Sequence, residues 1–324
     1  MLGRLLKNRP HSRNRKLPTQ SLALLSGLCL VAIGTRQLIA GSDAATRTGA
    51  PPLRMAISDT VVTGVNLSDA RAAMSVWTTE LLKAVGLEPD PNEQWVMESA
   101  QLLAAIRGGK VDLFCITVQE YRQVAPYVDT SRIITDDHGG DELLLVVREG
   151  SGIVNLAGLR GRSLILWESP STSLGEPWLT VSLWREGLDS PKQLLGRMSK
   201  NTKLSQVVLP LFFVQTDACV VTRRGLDTMV ELNPQLSRKL KVLLASPRMR
   251  SAFLAFRKDY PPHLKRRVFD RFHELKSIPA TDQILTLFQS SGFVARDADC
   301  LGSANSLLDA YERHHEPAAG RKRQ

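Results

Sequence analysis

The sequence predicts an α/β fold built as two similar halves. Short apolar runs of strand length alternate with segments whose apolar residues recur every three or four positions, a pattern typical of parallel βαβ units. This alternation restarts after residue 149. Two segments, 109–115 and 215–221, also resemble each other, because each places an aspartate (Asp112 or Asp217) at the start of an apolar strand. We therefore predict two lobes of the same architecture instead of one continuous sheet.

The first half begins with a predicted strand at residues 53–57. Ser68 is expected to cap a helix with one apolar face, and Gly86 is expected to end it. The run of five aliphatic residues at 143–147 predicts a strand that is buried on both faces. Between these, the pattern predicts a strand at 94–98, a short helix ending at Ile106, a strand at 111–116 and a helix from about residue 119 to Pro126.

The second half repeats the alternation. Pro210 conflicts with an unbroken helix and predicts a kink or an end there. The predicted strands are 163–167, 216–222, 240–244 and 251–257, and the predicted helices begin near residues 176, 202, 226 and 261, with two more at 282–288 and 306–313.

Composition excludes several classes of protein. The chain of 324 residues is long enough for two lobes with their own cores. Its net charge is +10, but residues 1–44 hold seven basic residues and one acid, so the rest carries 35 basic and 31 acidic residues, or +4. We therefore expect no nucleic-acid partner.

Cys115 and Cys219 fall inside apolar runs, which predicts buried free thiols in separate sheets.

The N-terminus has the order of a secretory signal: a basic region, an apolar run at 21–34, and small residues at 40–45. The apolar run of about 14 residues is shorter than the roughly 20 needed to cross a bilayer. We expect residues 1–44 to be a cleaved signal peptide, with an uncleaved membrane anchor as the alternative, and residues 45–52 to be a linker. The predicted location is periplasmic or otherwise outside the cytoplasm.

A hydroxyl-rich turn separates the strand at 163–167 from the following helix. Its residues Ser171, Thr172 and Ser173 offer three hydroxyl groups beside the N-terminus of a helix, where backbone N–H groups and the helix dipole favour an anion. Such a turn can bind an oxyanion without a lysine. The alternative is that Ser173 and Glu176 form only a helix-capping box.

Four segments resemble, in order, motifs of the substrate-binding proteins of phosphate, phosphite and phosphonate ABC transporters. They are residues 108–112, residues 155–163, the Ser171–Ser173 turn followed by Pro177, and residues 257–265. The resemblance covers residues 53–300 and implies a two-lobed type 2 periplasmic-binding fold whose lobes are joined by two crossing strands. These would be residues 142–147 and 252–256.

The resemblance also implies lobe boundaries. Lobe 1 would comprise residues 53–142 with 257–300, and lobe 2 residues 143–256. Residues 301–324 would form a C-terminal helix and a disordered tail.

The ligand contacts implied by the resemblance come from both lobes. In addition to the Ser171–Ser173 turn, they would be Ser58, Thr60, Thr117, Tyr121 and Asp217. For Asp217 the alternative is a strand-end residue that binds neighbouring backbone N–H groups. Asp59 would repel an anion unless the ligand carries an amino group.

The expected function is capture of a small, phosphonate-like oxyanion by a monomer that delivers it to the membrane permease of an ABC transporter. Two alternatives stay open: a ligand-sensing partner of a membrane signalling protein such as a sensor kinase, and a small-molecule enzyme on the same fold. The histidines fall outside the expected cleft, so we expect no catalytic residue, cofactor or metal site.

Overall fold

The structure is a computed structural model that describes residues 52–88, 90, 95–271, 281–288 and 290–315. These residues belong to one compact unit, Thr48–Gln324. The predicted signal peptide and the predicted tail after residue 316 lie outside the described residues, as does nearly all of the predicted linker. Among the described residues, no helix has the length and apolarity required to cross a membrane.

Strands and helices alternate along the chain as the sequence predicts. The strands are β1 (Met55–Ser58), β2 (Val96–Met97), β3 (Leu113–Thr117), β4 (Ile133–Asp136), β5 (Asp141–Arg148), β6 (Ser163–Trp167), β7 (Arg197–Asn201), β8 (Ala218–Thr222), β9 (Leu240–Met249), β10 (Ala252–Phe256) and β11 (Phe293–Arg296). The helices are α1 (Leu67–Val85), α2 (Ser99–Arg107), α3 (Val118–Val124), α4 (Gly175–Arg185), α5 (Pro191–Leu194), α6 (Ser205–Phe212), α7 (Arg223–Leu232), α8 (Leu236–Lys239), α9 (Pro262–Arg271), α10 (Thr281–Leu287) and α11 (Gly302–His315).

Local signals explain both ends of α1. Helix α1 begins after Asn66, whose side chain accepts a hydrogen bond from the Ser68 backbone N–H at 2.8 Å, so Asn66 is the cap where the sequence suggested Ser68. Gly86 ends the helix at φ +65°, a left-handed conformation that favours glycine. Helix α6 continues through Pro210 and ends two residues later, at Phe212.

Two sheets form the centres of two lobes. The first sheet has six strands in the order β11-β4-β10-β3-β1-β2, and the second has five in the order β7-β6-β8-β5-β9. In the first, β1 pairs in parallel with β2 and β3, and in the second, β6 pairs in parallel with β7 and β8. Cys115 lies in β3 and Cys219 in β8, both buried and free, so their predicted placement in separate sheets is confirmed.

The crossings between the sheets differ from the prediction. Strand β5 lies wholly in the second sheet, and β10 lies in the first, antiparallel between β3 and β4. The chain therefore crosses in the short connections 137–140 and 250–251, and not within strands 142–147 and 252–256 themselves. Residues 252–256 accordingly belong to the first sheet, although the predicted boundary placed them in lobe 2. An apolar run shows that a strand is buried but not which sheet buries it.

Three apolar clusters form the core: two lie within single lobes, and the third includes residues of both lobes. One covers the α1 side of the first sheet, and another covers the side of the second sheet that faces α6 and α7. The largest includes residues of both sheets and of α4 and α11. Helix α11 contacts both lobes, because Tyr311 stacks on Trp184 of α4 at 5.9 Å and Glu312 accepts a hydrogen bond from Arg122 of α3 at 2.6 Å.

A buried ion pair fixes α9 to the segment before β4. The Lys265 ammonium, on a side chain only 9% exposed, donates to Asp129 at 2.5 Å. Burial alone would raise the pKa of the Asp129 carboxyl, but hydrogen bonds from Lys265 and Ser131 outweigh burial and hold this pKa below its usual value of 3.8.

This pair should make stability fall in acid. A carboxyl whose pKa is lowered by folding stabilises the protein above its unfolded-state pKa and loses that effect as pH falls through the folded value. We expect Asp129→Asn to lower the free energy of unfolding at pH 7, and the difference from wild type to shrink below about pH 4. Urea unfolding at a series of pH values measures this. A difference that stayed constant down to pH 2.5 would contradict the role of the pair.

Candidate functional site

The turn after β6 is held together by its own hydroxyl groups. Thr172, which is 2% exposed, donates its hydroxyl proton to the Trp167 carbonyl, and its Oγ1 accepts from the Ser169 backbone N–H at 3.1 Å. The Ser169 and Ser171 hydroxyls lie 2.9 Å apart and share a hydrogen bond. The sequence predicted Thr172 as a ligand contact. In the structure its hydroxyl already stabilises the turn, because the protein's own polar groups surround it.

Ser173 differs from its neighbours in the turn. Its Oγ is buried and has no hydrogen-bond partner among the residues that the structure describes. The alternative of a capping box with Glu176 is not what forms, since α4 begins after Leu174 without any side-chain cap. The first backbone N–H groups of a helix have no acceptor within the helix. Of the first three residues of α4, Gly175 and Glu176 have a backbone N–H and Pro177 has none, so the Ser173 hydroxyl and two amides occur together at the start of α4.

In the first lobe, the predicted hydroxyl groups converge on an internal carboxylate. Glu120 is 5% exposed and accepts hydrogen bonds from Ser58 Oγ at 2.5 Å, from Thr60 Oγ1 at 3.1 Å and from Thr117 Oγ1 at 2.9 Å. Ser99 Oγ, at 2.5 Å, and the Thr117 backbone N–H, at 2.8 Å, also donate to Glu120. The sequence implied Ser58, Thr60 and Thr117 as ligand contacts. The structure shows that an anion of the protein itself already receives these donors.

Sequence reasoning overlooked Glu120, although a signal for it exists. Thr117 and Glu120 have the spacing of a capping box, and this capping box forms at the start of α3. The carboxylate that caps the helix thereby reaches the end of β1, where Ser58 and Thr60 lie.

A cleft of about 500 Å³ separates the two sets of groups. Volumes of 300–1,000 Å³ are typical of small-molecule sites. Its first-lobe wall includes Thr60, Thr117 and Glu120, and its second-lobe wall includes Ser169, Thr172, Ser173, Glu168, Glu176 and Lys200, with Tyr311 of α11 beside them. Four of the predicted residues, Thr60, Thr117, Thr172 and Ser173, therefore line the same cleft.

The charges of the cleft are mainly negative. Lys200 donates to Glu176 at 2.9 Å, and this hydrogen bond raises the pKa of the Lys200 ammonium. The charges of Lys200 and Glu176 offset each other, so the remaining charged side chains along the cleft are the carboxylates of Glu120 and Glu168. The charged side chains of the cleft do not attract an anion overall. An anion in this cleft must therefore be held by hydroxyl and amide dipoles.

Of the other four predicted residues, Ser58 donates to Glu120, and Tyr121, Asp217 and Ser171 lie elsewhere. Tyr121 packs edge-on against Phe253 at 5.4 Å and lines a neighbouring groove beside α11. Asp217 lies at the start of β8 and accepts from the backbone N–H and the hydroxyl of Ser163, at 2.8 and 2.7 Å. Because β6 and β8 run in parallel, Asp217 is at the opposite end of β6 from the turn. The alternative reading of Asp217, as a strand-end residue, matches these contacts.

Asp217 is well satisfied where it lies. Burial alone would raise the pKa of its carboxyl, but hydrogen bonds from Ser163 and the charge of Arg162 lower this pKa below the usual value.

Ser171 is also displaced from the cleft, because it lines a second cavity on the other side of the turn. Among the described residues, no group of three or more His, Cys, Asp or Glu side chains could hold a metal ion.

Solved structures share this architecture at low sequence identity. The binding component of an ABC phosphonate transporter from Pseudomonas aeruginosa is 17% identical, with a TM-score of 0.57 over 82% of this chain and 88% of that chain. A Xanthomonas citri protein bound to ATP is 16% identical, with a TM-score of 0.61 over 82% and 98% of the two chains. PhnD1 from Prochlorococcus marinus, in complex with methylphosphonate, is 14% identical, with a TM-score of 0.53 over 82% and 100%. These likenesses establish the fold.

A family model identifies the chain more directly than these structures do. Comparison with curated protein sequences finds none that matches this chain. The model of the periplasmic substrate-binding protein of phosphonate ABC transporters matches residues 64–301, which is most of the chain and includes every strand of the two sheets except β1. The two-lobed architecture agrees with this match. The chain therefore belongs to the family of periplasmic substrate-binding proteins of phosphonate ABC transporters.

Proposed function

We propose that this protein binds a small organic oxyanion, most closely a phosphonate, in the cleft between its lobes and delivers it to the permease of an ABC transporter. The observation that carries the proposal is the buried, unpartnered Ser173 Oγ beside the first turn of α4. A buried hydroxyl without a partner is unfavourable, and a ligand oxygen would relieve it. The protein is exported and acts as a monomer. Light scattering of the secreted protein tests its oligomeric state.

We assign different roles to the predicted site residues. Ser173 and the amides at the start of α4 bind the anionic group, whereas Thr172 holds the turn that presents them. Ser58, Thr60 and Thr117 position Glu120, whose carboxylate faces the same cleft. The ligand must therefore tolerate a carboxylate at the first-lobe wall. A phosphonate with a single negative charge, or one that also carries a hydrogen-bond donor, meets this condition better than a dianion does.

Removing the Ser173 hydroxyl should weaken binding and leave the empty protein as stable as before. A hydrogen bond to a charged group contributes about 1.5–3 kcal/mol, so we expect Ser173→Ala to weaken methylphosphonate binding roughly 10- to 100-fold. The melting temperature should not fall, since Ser173 Oγ makes no hydrogen bond within the described residues. Calorimetric titration of methylphosphonate, together with thermal unfolding, measures both quantities.

Two controls sharpen this experiment. Ser182→Ala removes a hydroxyl from α4, the helix that follows the turn, where Ser182 donates to the Trp178 carbonyl at 2.8 Å, and should leave binding unchanged. Thr172→Ala should lower the melting temperature, because it leaves the buried Trp167 carbonyl and Ser169 N–H without this partner. If wild type and Ser173→Ala bind methylphosphonate with equal affinity, the proposed contact with Ser173 is wrong and the anion is bound by other groups.

A further inference from the structure

Three large apolar side chains are exposed where α6 and α7 end. Phe213 directly follows the last residue of α6, and Leu232 is the last residue of α7. These two helices contact each other and cover one face of the second sheet. Phe213 is 61% exposed, Val214 65% and Leu232 77%. We call these three residues the apolar tip.

The chain path places the apolar tip at the end of the second lobe that faces away from the cleft. Strand β8 begins four residues after Val214, runs for five residues, about 16 Å, and leads directly into α7. Helix α7 has ten residues, about 15 Å, so Leu232 returns to the end at which β8 begins. Because β6 and β8 are parallel, the hydroxyl-rich turn after β6 lies at the opposite end. The apolar tip is therefore separate from the ligand cleft.

The backbone at Val214 conflicts with its residue type. Helix α6 ends in a Schellman motif, in which the Gln215 N–H donates to the Pro210 carbonyl at 2.8 Å and the Val214 N–H donates to the Leu211 carbonyl at 3.3 Å. The motif requires a left-handed residue at position 214, where glycine is usual. Val214 has φ +63° and is the only non-glycine residue with a positive φ among those that the structure describes. An exposed valine gains little packing to offset this strain, and retained strain is typical of functional surfaces.

Basic side chains lie beside the apolar tip. Arg238, Lys239 and Lys241 follow Leu232 in α8 and at the start of β9, and all three are exposed. The Glu149 backbone N–H donates to the Lys239 carbonyl at 2.7 Å, which places this segment at the same end of the sheet, next to the end of β5. None of the three cations forms an ion pair with a described residue. The charged residues of these segments are Arg148, Arg238, Lys239 and Lys241 against Glu149 and Glu231.

We infer that the apolar tip binds the surface of an anionic lipid bilayer. Protruding apolar side chains enter the boundary between headgroups and acyl chains, and neighbouring cations attract anionic lipids. A second copy of this chain fits less well, because a two-fold interface would bring the same cations together. Three side chains also provide far less than the roughly 800 Å² that each partner buries in a stable protein complex. A bilayer needs no complementary pocket.

Sedimentation of the secreted protein with lipid vesicles measures this binding. We expect it to bind vesicles of phosphatidylglycerol and phosphatidylcholine in equal parts, to bind pure phosphatidylcholine more weakly, and to lose affinity as salt rises. Phe213→Ser should weaken binding to the anionic vesicles roughly tenfold. Each lysine near such a surface contributes about a factor of five, so Lys239→Gln with Lys241→Gln should weaken binding about 25-fold. Val76→Ser, at a residue of α1 that is 51% exposed, is the matched control and should bind as wild type does.

Val214→Gly separates lipid contact from a folding defect. It removes an apolar side chain from the tip, so binding to anionic vesicles should weaken severalfold. Its melting temperature should rise, because glycine adopts the left-handed conformation without strain. Loss of binding together with a gain in stability cannot result from unfolding.

A fluorescence experiment locates the contact even if residues 1–44 hold the whole protein on the vesicles. Phe213→Trp introduces an indole at the apolar tip, and Val76→Trp introduces one at an exposed position of the first lobe. Brominated lipids quench indole fluorescence on contact. We expect them to quench the added fluorescence of Phe213→Trp and not that of Val76→Trp.

Several results would overturn this inference. They include equal binding of wild type, Phe213→Ser and Val214→Gly with equal quenching at positions 213 and 76. Binding to native membranes but not to protein-free anionic vesicles would assign the apolar tip to a membrane protein. A dimer that forms without lipid and that Phe213→Ser dissociates would assign it to a second copy. The tip variants should bind methylphosphonate as wild type does, so this inference and the proposed function fail separately.

Discussion

Replacing Gly140 with alanine should lower the free energy of unfolding by about 2–5 kcal/mol. Gly140 lies in the first crossing connection at φ +85°, and a Cβ there would lie 2.6 Å from the Met249 carbonyl carbon and oxygen and 2.9 Å from the Arg250 nitrogen. A left-handed conformation costs a non-glycine residue about 1–2 kcal/mol, and overpacking adds about 1–3 kcal/mol. Backbone atoms cannot rotate away as a side chain can. The two crossing connections would therefore have to separate.

Gly139 provides a matched control one residue earlier. It has nearly the same conformation, φ +87°, but a Cβ there would approach only the Arg248 guanidinium, at 3.9 Å. Gly139→Ala should therefore cost about 1–2 kcal/mol, which is the conformational part alone. Urea unfolding of both variants and of wild type separates the two contributions. Equal losses in the two variants would show that the close approach of the crossing connections does not occur.

Replacing Asp112 with asparagine should cost about 3 kcal/mol. Its side chain is 4% exposed and accepts from Arg54 Nε at 2.8 Å, from Arg54 Nη2 at 2.7 Å and from Arg257 Nη2 at 3.1 Å. The arginines belong to separate parts of the chain, so the carboxylate joins the start of β1 to the end of β10. Breaking a buried ion pair costs about 3–5 kcal/mol. We expect a loss at the low end of this range because the Arg54 side chain is 33% exposed, so water already solvates part of the pair.

The corresponding residue of the second lobe is the control for this prediction. Asp217 also stands at the start of a strand, but its side chain is 35% exposed and that of its partner Arg162 is 48% exposed. Asp217→Asn should therefore cost about 1 kcal/mol or less, as exposed ion pairs do. Chemical unfolding of the two variants gives the comparison. A larger loss for Asp217→Asn than for Asp112→Asn would reverse our ranking of the two carboxylates.

Periodicity and turn chemistry allowed much of the fold to be predicted from the sequence. Strand β6 and the turn after it were predicted correctly, because a run of apolar residues is followed directly by residues that favour turns. Strands β4, β7 and β11 were overlooked. Strand β7 consists mostly of polar residues, and β4 and β11 are only four residues long, so none has a clear local pattern that predicts a strand.

The residue types of the site were also predictable, but their partners were not. The order of strand, hydroxyl-rich turn and helix is a local pattern that predicts an oxyanion-binding element. The hydrogen bond from Ser58 to Glu120 joins residues 62 positions apart, and no local pattern encodes such a contact. Which hydroxyl groups the protein uses internally and which stay open for a ligand therefore depended on the tertiary structure.

The sequence by itself determined that this is an α/β protein of two lobes with a hydroxyl-rich turn before a helix, because hydrophobic periodicity and backbone propensities act over a few residues. Only the tertiary structure decided that β10 joins the first sheet, that the chain crosses at residues 137–140 and 250–251, and that Phe213 and Leu232 are exposed at one end of the second lobe. These features depend on which distant segments pack together. The free energy of packing is a property of the whole chain, which a local pattern does not contain.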